Sequence, residues 1–217
     1  MSTLHFVLAT ANPDKAREII EVLRAAGEGI EIELRDPSLP DVDETGVTLE
    51  ENARIKARAI CDATARPAIA DDTGLEVDAL GGAPGVHSAR FAGEGATYAD
   101  NVDLLLRRLI GIDPAARTAR FATVAIARWP DGREVAAIGA VEGTIASAPR
   151  GSGGFGYDPV FVPDECDGRT FAELSPAEKH AVSHRGRAFR TLADGLRVVA
   201  GVPGTPGTTS GTPSGES

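Results

Sequence analysis

Cysteine is scarce in this chain. Cys61 and Cys166 are the only two, far apart, with no Cys-x-x-Cys pair and no histidine at zinc-ligand spacing. That argues against both a disulfide framework and a zinc site of the usual spacings, so the thiols are expected to be reduced and structural. No apolar run approaches the roughly 20 residues that cross a bilayer, and no membrane partner is expected. The start, Met1-Ser2-Thr3-Leu4-His5, has no basic segment followed by an apolar core. No secretory signal is expected, and a cytoplasmic enzyme is the default. An excess of positive charge is missing too: 22 Lys and Arg stand against 32 Asp and Glu, a formal net charge of −10. This argues against a bulk electrostatic grip on a nucleic-acid polymer, which needs a basic face. A small anion in a locally basic pocket remains compatible with it.

What is there is the patterning of one α/β domain, and 217 residues are enough to bury a sizeable core. Leu4 to Ala9 reads as a buried first strand. Asn12 offers an N-cap and Pro13 the first helical position, and the helix that follows carries Ala16, Ile19, Ile20, Leu23 and Ala26 on one face. Glu31 to Leu34 reads as a second strand. Thr48 and Glu51 have capping-box spacing and open a helix towards Ala63. Pro67 to Ala70 is expected as a short strand that stops at two aspartates, and Gly81 to Gly95 as a shaped loop. Thr97 caps a helix with Val102, Leu105, Leu106 and Leu109 on its apolar face. Arg117 to Arg128 and Glu134 to Ala146 pair as a long hairpin around the turn Trp129-Pro130-Asp131-Gly132. A glycine loop, Gly151 to Gly156, precedes a strand from Pro159 to Val162. Ser175 and Ser183 cap the last helices, the final one burying Ala188, Leu192, Leu196 and Val199. Strands alternating with helices, then a long hairpin, suggest a mixed sheet with helices on its faces. The domain is expected to span 1–200. Residues 201–217, nearly all Gly, Pro, Thr and Ser, cannot bury enough to order themselves and are expected to be a disordered tail.

Several segments carry chemistry. Ala70-Asp71-Asp72-Thr73-Gly74 ends an apolar run at two carboxylates, a hydroxyl and a glycine. Adjacent anions repel unless a cation or proton lies between them, and magnesium is the ion that oxygen-only ligands of this kind favour, usually with substrate phosphates. The competing reading is an ordinary strand-to-turn junction, since Asp and Gly both favour turns. Asp43-Glu44-Thr45-Gly46 adds carboxylates from a second segment; solvated loop acids are the alternative there. Thr10-Ala11-Asn12-Pro13-Asp14-Lys15 joins a strand to a helix N-terminus, where free N–H groups and the dipole favour an anion. Lys15, one turn in, can reach a phosphate. Gly151 to Gly156 formally matches G-x-G-x-x-G, but Tyr157-Asp158-Pro159 and a strand follow rather than a helix, so a dinucleotide fingerprint is rejected. Its glycines instead let the backbone and Phe155 approach a flat ligand. Ser183-His184-Arg185-Gly186, with Lys179 upstream, sets donors and cations at a helix start, where the dipole disfavours them. Two directional donors plus a cation suit a purine edge and a phosphate, and the misfit weakens the alternative of a solvated surface.

Taken together, Thr10-x-Asn12-x-x-Lys15, Glu44-Thr45-Gly46, Glu51-Asn52-Ala53 with Lys56-Ala57, Ala70-Asp71-Asp72-Thr73-Gly74, Gly81-Gly82-Ala83-Pro84-Gly85, Gly153-Gly154-Phe155-Gly156-Tyr157-Asp158 and Ser183-His184-Arg185-Gly186 follow one another along the chain. This series resembles the inosine triphosphate pyrophosphatase family, in its bacterial dITP/XTP form, over roughly Phe6 to Leu196. The resemblance implies an α/β fold: a long mixed β-sheet flanked by helices, with two lobes around a central cleft. It implies hydrolysis of deaminated purine nucleoside triphosphates (dITP, ITP, XTP) to monophosphate and pyrophosphate, cleansing the nucleotide pool, with Mg²⁺ and in a homodimer.

By the same resemblance, Asp72 is the proton acceptor and a metal ligand, Asp71 its neighbour in the acidic cluster, and Asp43 with Glu44 the other metal contact. Thr10, Asn12 and Lys15 are expected at the triphosphate. Thr73, Phe155, Gly156, Tyr157, Asp158, Lys179, His184 and Arg185 are expected around the nucleotide. Thr73 stands where serine is frequent, Asp43 where glutamate is common and His87 where tyrosine is frequent; none of these removes a group the reaction needs. The rival readings are a metal-dependent phosphatase or phosphodiesterase, a related pyrophosphatase for modified pyrimidines, and a non-catalytic nucleotide sensor. Stepwise orthophosphate release marks the first, and binding without turnover the last.

Overall fold

The structure, a computed structural model, describes residues 3–201. It opens with β1 (Leu4–Leu8), α1 (Pro13–Ala25) and β2 (Ile30–Leu34), a unit whose two strands are parallel. Asn12 caps α1, its Oδ1 accepting from the N–H groups of Asp14 and Lys15 at 2.9 and 3.1 Å. α2 (Leu49–Thr64) starts from the Thr48–Glu51 capping box. Then come β3 (Ala68–Val77), β4 (Pro84–Gly85), α3 (Tyr98–Arg108), β5 (Thr118–Arg128), β6 (Glu134–Ile145), β7 (Phe161–Pro163), α4 (Pro176–Val182) and α5 (His184–Val199).

Among the described residues the strands form one seven-stranded mixed sheet in the order β2-β1-β3-β5-β6-β7, with β4 paired to β3. β1 is parallel to β2 and β3, and every later pairing is antiparallel. Helices cover both faces. On one, Ile19 and Leu23 of α1 and Phe189 and Leu192 of α5 pack with Phe6 and Leu8 of β1. On the other, Ala53, Ala57 and Ile60 of α2 meet Ala70, Val124 and Ile126. A third cluster sets Val102 and Leu105 of α3 with Leu75, Phe121, Phe161 and Phe171. Burial on both faces explains why Val124 to Ala127 is an unbroken apolar run rather than an alternating one.

The structure corrects three expectations. β3 does not stop at Ala70. It continues through both aspartates to Val77, because β5 offers ladder partners along its whole length, Asp71 opposite Ala125 and Asp72 opposite Val124. The strand expected over Pro159 to Val162 begins at Phe161, since Pro159 has no N–H to give a ladder and the N–H groups of Val160 and Phe161 turn back to the Tyr157 carbonyl. Val199 is 46% exposed rather than buried. In the last turn of α5 Arg197 donates to the Ala26 carbonyl, and no described residue covers Val199. No described helix is long and apolar enough to cross a membrane. Apart from Gly201, the expected tail lies outside the described residues.

Candidate active site

The cleft follows from the sheet's topology. β1 accompanies β3 only at Ala68 and Ile69, and β4 joins β3 only at Leu75 and Glu76. Between those points, Asp71 to Gly74 present a bare edge on that side, beyond the C-terminal end of β1. Carboxyl ends of parallel strands beside such a gap are where open α/β sheets bind ligands. The adjacent aspartates, moreover, diverge. Successive strand residues point to opposite faces, so each has its own cation, whereas the sequence suggested one shared between them.

Asp71 points to the α1 and α5 face. Its Oδ2 lies 3.4 Å from Lys15 Nζ and 3.7 Å from Arg185 Nε, and accepts from Thr73 Oγ1 at 3.1 Å. Burial alone would raise this carboxyl, but Lys15, Arg185 and Lys56 hold it down at about 2. Its other oxygen has no partner. Asp72 points to α2, where Asn52 and Lys56 share a face at i, i+4 spacing. Lys56 Nζ lies 2.8 Å from Asp72 and 3.0 Å from Glu44, and Asn52 Nδ2 donates to Asp72 at 3.3 Å. Burial raises the Asp72 carboxyl above its ordinary range in spite of Lys56 and Lys15, with Glu44 adding to the rise. The helix that supplies Lys56 also fixes Glu44: Asn52 Oδ1 accepts from Gly46 N at 2.8 Å and Glu51 from Val47 N at 2.7 Å. Only glycine fits at 46, since a Cβ there would meet Glu51 and Asn52 atoms at 2.6 and 2.7 Å.

The opposite wall comes from the glycine loop and α5. Asp158 Oδ2 accepts from Phe155 N at 2.7 Å and from Lys179 Nζ at 2.5 Å, which curls the loop. Lys179 also donates to Glu18, which takes Arg185 NH1 at 2.6 Å on its other oxygen. Lys179 Nζ and the Arg185 guanidinium lie 5.0 and 5.4 Å from the centre of the Phe155 ring. Tyr157 donates to the Ser88 carbonyl at 2.9 Å. His184 stacks on Phe121 at 4.4 Å and 12°. Burial, then Arg185, Lys179 and Lys15, push its imidazole well below the usual range, so it is neutral, with Nδ1 unpartnered. Gly139 lets the start of α5 sit this low on the sheet, because a Cβ there would lie 2.2 Å from the His184 carbonyl.

The cleft spans about 750 Å³, the open solvent at its mouth included, and its lining brings together most of the residues singled out from the sequence. Asn12, Lys15, Glu44, Asp72, Thr73, Phe155, Gly156, Tyr157, Asp158, His184 and Arg185 face it. Four do not. Thr10 accepts the Asn12 N–H from the loop behind, Asp43 is exposed, Asp71 is buried behind Lys15, Thr73 and Arg185, and Lys179 lies beneath Phe155. Glu18 and Tyr98 carry no sequence motif, yet both belong to this constellation. Lys56 and Asn52 sit in a motif, but its chemistry becomes visible only through their contacts with Asp72.

Glu44 and Asp72 converge on one ammonium, which marks a position where positive charge is stabilised. Among the described residues there is no group of three or more His, Cys, Asp or Glu able to hold a metal. A two-carboxylate donor set suits magnesium, which keeps waters and phosphate oxygens as its remaining ligands. Within and just behind the cleft, Lys15, Lys56, Lys179 and Arg185 face Glu18, Glu44, Asp71, Asp72 and Asp158. Acids outnumber bases there, so a polyanion needs an added cation.

Residues 6–195 match the Ham1 family. A dITP/XTP pyrophosphatase from Symbiobacterium thermophilum is 51% identical over 196 residues, covering 90% of this chain and 96% of that protein. A HAM1 protein from Coxiella burnetii superposes with a TM-score of 0.81 at 42% identity, over 90% of this chain and all of that one. A nucleoside-triphosphatase, or dITP/XTP pyrophosphatase, from Mycobacterium abscessus gives 0.70 at 44% identity, over 89% of this chain and 100% of that one. With a cleft formed at the same sheet edge that its motifs mark, this chain belongs to the Ham1 family.

Proposed function

We propose that this chain hydrolyses deaminated purine nucleoside triphosphates (dITP, ITP and XTP) to the monophosphate and pyrophosphate. One observation carries the reading: a helix N-terminus with Lys15, a raised carboxylate at Asp72, and a wall of Phe155, His184 and Arg185 share one cleft. Relatives named dITP/XTP pyrophosphatases, alike over nine-tenths of the chain, support it.

In this reaction water attacks a phosphorus in line with the pyrophosphate leaving group. Asp72 orients that water and accepts its proton, a task for which a carboxyl above its ordinary range is better suited. Lys56 and Asn52 hold Asp72 in place. Asn12 and Lys15, at the positive end of the α1 dipole, take the triphosphate, with Thr10 shaping their loop. Glu44 and Asp72 would hold Mg²⁺, which when bound supplies charge neutralisation and Lewis acidity at the phosphates. Asp43 is left out of that pair. At the base, His184 and Arg185 are donors for the purine O6 of hypoxanthine or xanthine. Adenine puts an amino donor there, so donor would face donor.

A homodimer belongs to the same proposal, tested by light scattering for the mass of two chains. So does a reducing cytoplasmic setting, supported by Cys61 and Cys166, both buried and free. The deciding experiment incubates purified protein and Mg²⁺ with dITP, ITP, XTP and ATP, and detects pyrophosphate and orthophosphate separately. Pyrophosphate from the first three is expected. Stepwise orthophosphate, or binding without turnover, refutes the proposal.

A further inference from the structure

Tyr98 is the first residue of α3, which starts there because Thr97 and Asp100 form a capping box. α3 packs in the cluster of Leu75, Phe161 and Phe171, whereas α1 packs with β1 and α5. The phenol nevertheless touches both walls of the cleft. Its oxygen accepts from Asn12 Nδ2 at 2.9 Å, its hydroxyl faces Asp14 Oδ2 at 3.4 Å, and its ring lies 5.7 Å from that of Phe155 at 40°. Asn12 and Asp14 lie far from Phe155 in sequence, and Tyr98 touches both segments, in addition to the buried ion pairs of Glu18 and Asp71 beneath.

We propose that Tyr98 is a positioning residue that straps the phosphate wall to the base wall over the bound nucleotide, an inference that rests on the hydrolase reading above. The Asn12 amide oxygen is already committed to the α1 cap. With one amide hydrogen given to Tyr98, its other N–H has a fixed direction for the substrate. A nucleotide with its phosphates at Asn12 and Lys15 and its base at Phe155 and His184 has its sugar beneath the Tyr98 ring. Tyr98 is 41% exposed and lines the cleft, so it borders the cleft rather than filling a core. The strap acts on how tightly substrate is held, not on the proton transfer at Asp72, and it does not read the edge of the base.

The experiment compares steady-state hydrolysis of dITP and XTP by the wild type, Tyr98→Phe and Tyr98→Ala, each with Mg²⁺ and each checked for Tm. Tyr98→Phe loses the hydrogen bond from Asn12 and the longer one to Asp14 and is expected to raise KM about fivefold with kcat within about twofold. Tyr98→Ala also loses the contact with Phe155 and is expected to raise KM by about 20-fold. The factor should be the same for both nucleotides. KM does not depend on the fraction of folded enzyme, so partial unfolding cannot imitate this result. Wild-type KM in both variants, or a loss confined to kcat, overturns the strap while leaving the hydrolase reading intact. A wild type inert towards both nucleotides overturns the hydrolase reading instead.

Discussion

Replacing Glu18 with alanine would strand two buried cations. Its carboxylate takes Lys179 on one oxygen and Arg185 on the other, and the three side chains belong to residues only 7%, 4% and 3% exposed. Removing one partner of a buried pair costs about 3–5 kcal/mol, because the remaining charge stays desolvated. Here the lower end applies: Lys179 keeps Asp158 at 2.5 Å, and Arg185 keeps Asp71 at 3.7 Å. A loss of about 3 kcal/mol lowers Tm by roughly 6–12 °C in a chain of this size. Scanning calorimetry without nucleotide at pH 7 reads it directly. The difference should also depend on pH. Burial would raise the Glu18 carboxyl, but Arg185 and Lys179 outweigh it and hold it below its ordinary value of 4.5. A lowered carboxyl stabilises the fold above its unfolded pKa and loses that contribution as pH falls through the folded value. The gap between wild type and Glu18→Ala should therefore narrow as pH drops below 4.5. A Tm change under about 2 °C, or a gap that persists in acid, would refute the reasoning.

Three further outcomes are expected. Asp72→Asn keeps the shape but loses the proton acceptor and should cut kcat by at least ~100-fold; near-normal turnover removes Asp72 from its role. Asp71→Asn should flatten the acid limb of stability between pH 3.8 and about 2, the ordinary and folded values of that carboxyl. The group stabilises above the first and loses its contribution through the second, on the order of 2 kcal/mol in all, so an acid limb identical to wild type in urea titrations contradicts it. Arg185→Ala should narrow the preference for ITP over ATP by ~10-fold or more. Unchanged discrimination means that Arg185 does not read the base.

The parts of this fold that were legible in the sequence are those whose causes are local. The capping boxes at Thr48–Glu51 and Ser175–Glu178 form as spaced, because donor and acceptor lie within one turn. The β5–β6 hairpin was legible because its turn residues and flanking alternation are contiguous. Glu18 was not. Its partners lie 161 and 167 residues away, and from α1 alone it is one acid among the apolar positions Ala16, Ile19 and Val22. A charged residue inside an apolar helical stripe is the available signal, and it names no partner. Tyr98 gave less still, since the first position of a capped helix accepts most residues. The end of β3 is illegible for a related reason: Asp, Asp and Gly locally favour a turn, but β5 and the cations from three helices are supplied by distant chain.

The adjacent spacing of the two aspartates is what gives them different chemistry. Had they stood two apart, as Asp71 and Thr73 do, both would point to one face and compete for the same cations. Side by side in a strand they are divided by the pleat. Asp71 meets Lys15 from α1 and Arg185 from α5, is held ionised at about 2, and ties those helices to the sheet. Asp72 meets Lys56 from α2 at the bare edge, and burial keeps its carboxyl above the ordinary range. In the proposed reaction the first anchors the cations of both walls and the second handles the proton. Exchanging their surroundings should be harder than removing either group. An Asp72 moved to position 73 would leave α2 and Glu44 behind, and a carboxylate there would join Asp71 against the same guanidinium. The Asp72→Ala/Thr73→Asp double variant is therefore expected to be as inactive as Asp72→Asn, since the carboxylate count is preserved but its face is not.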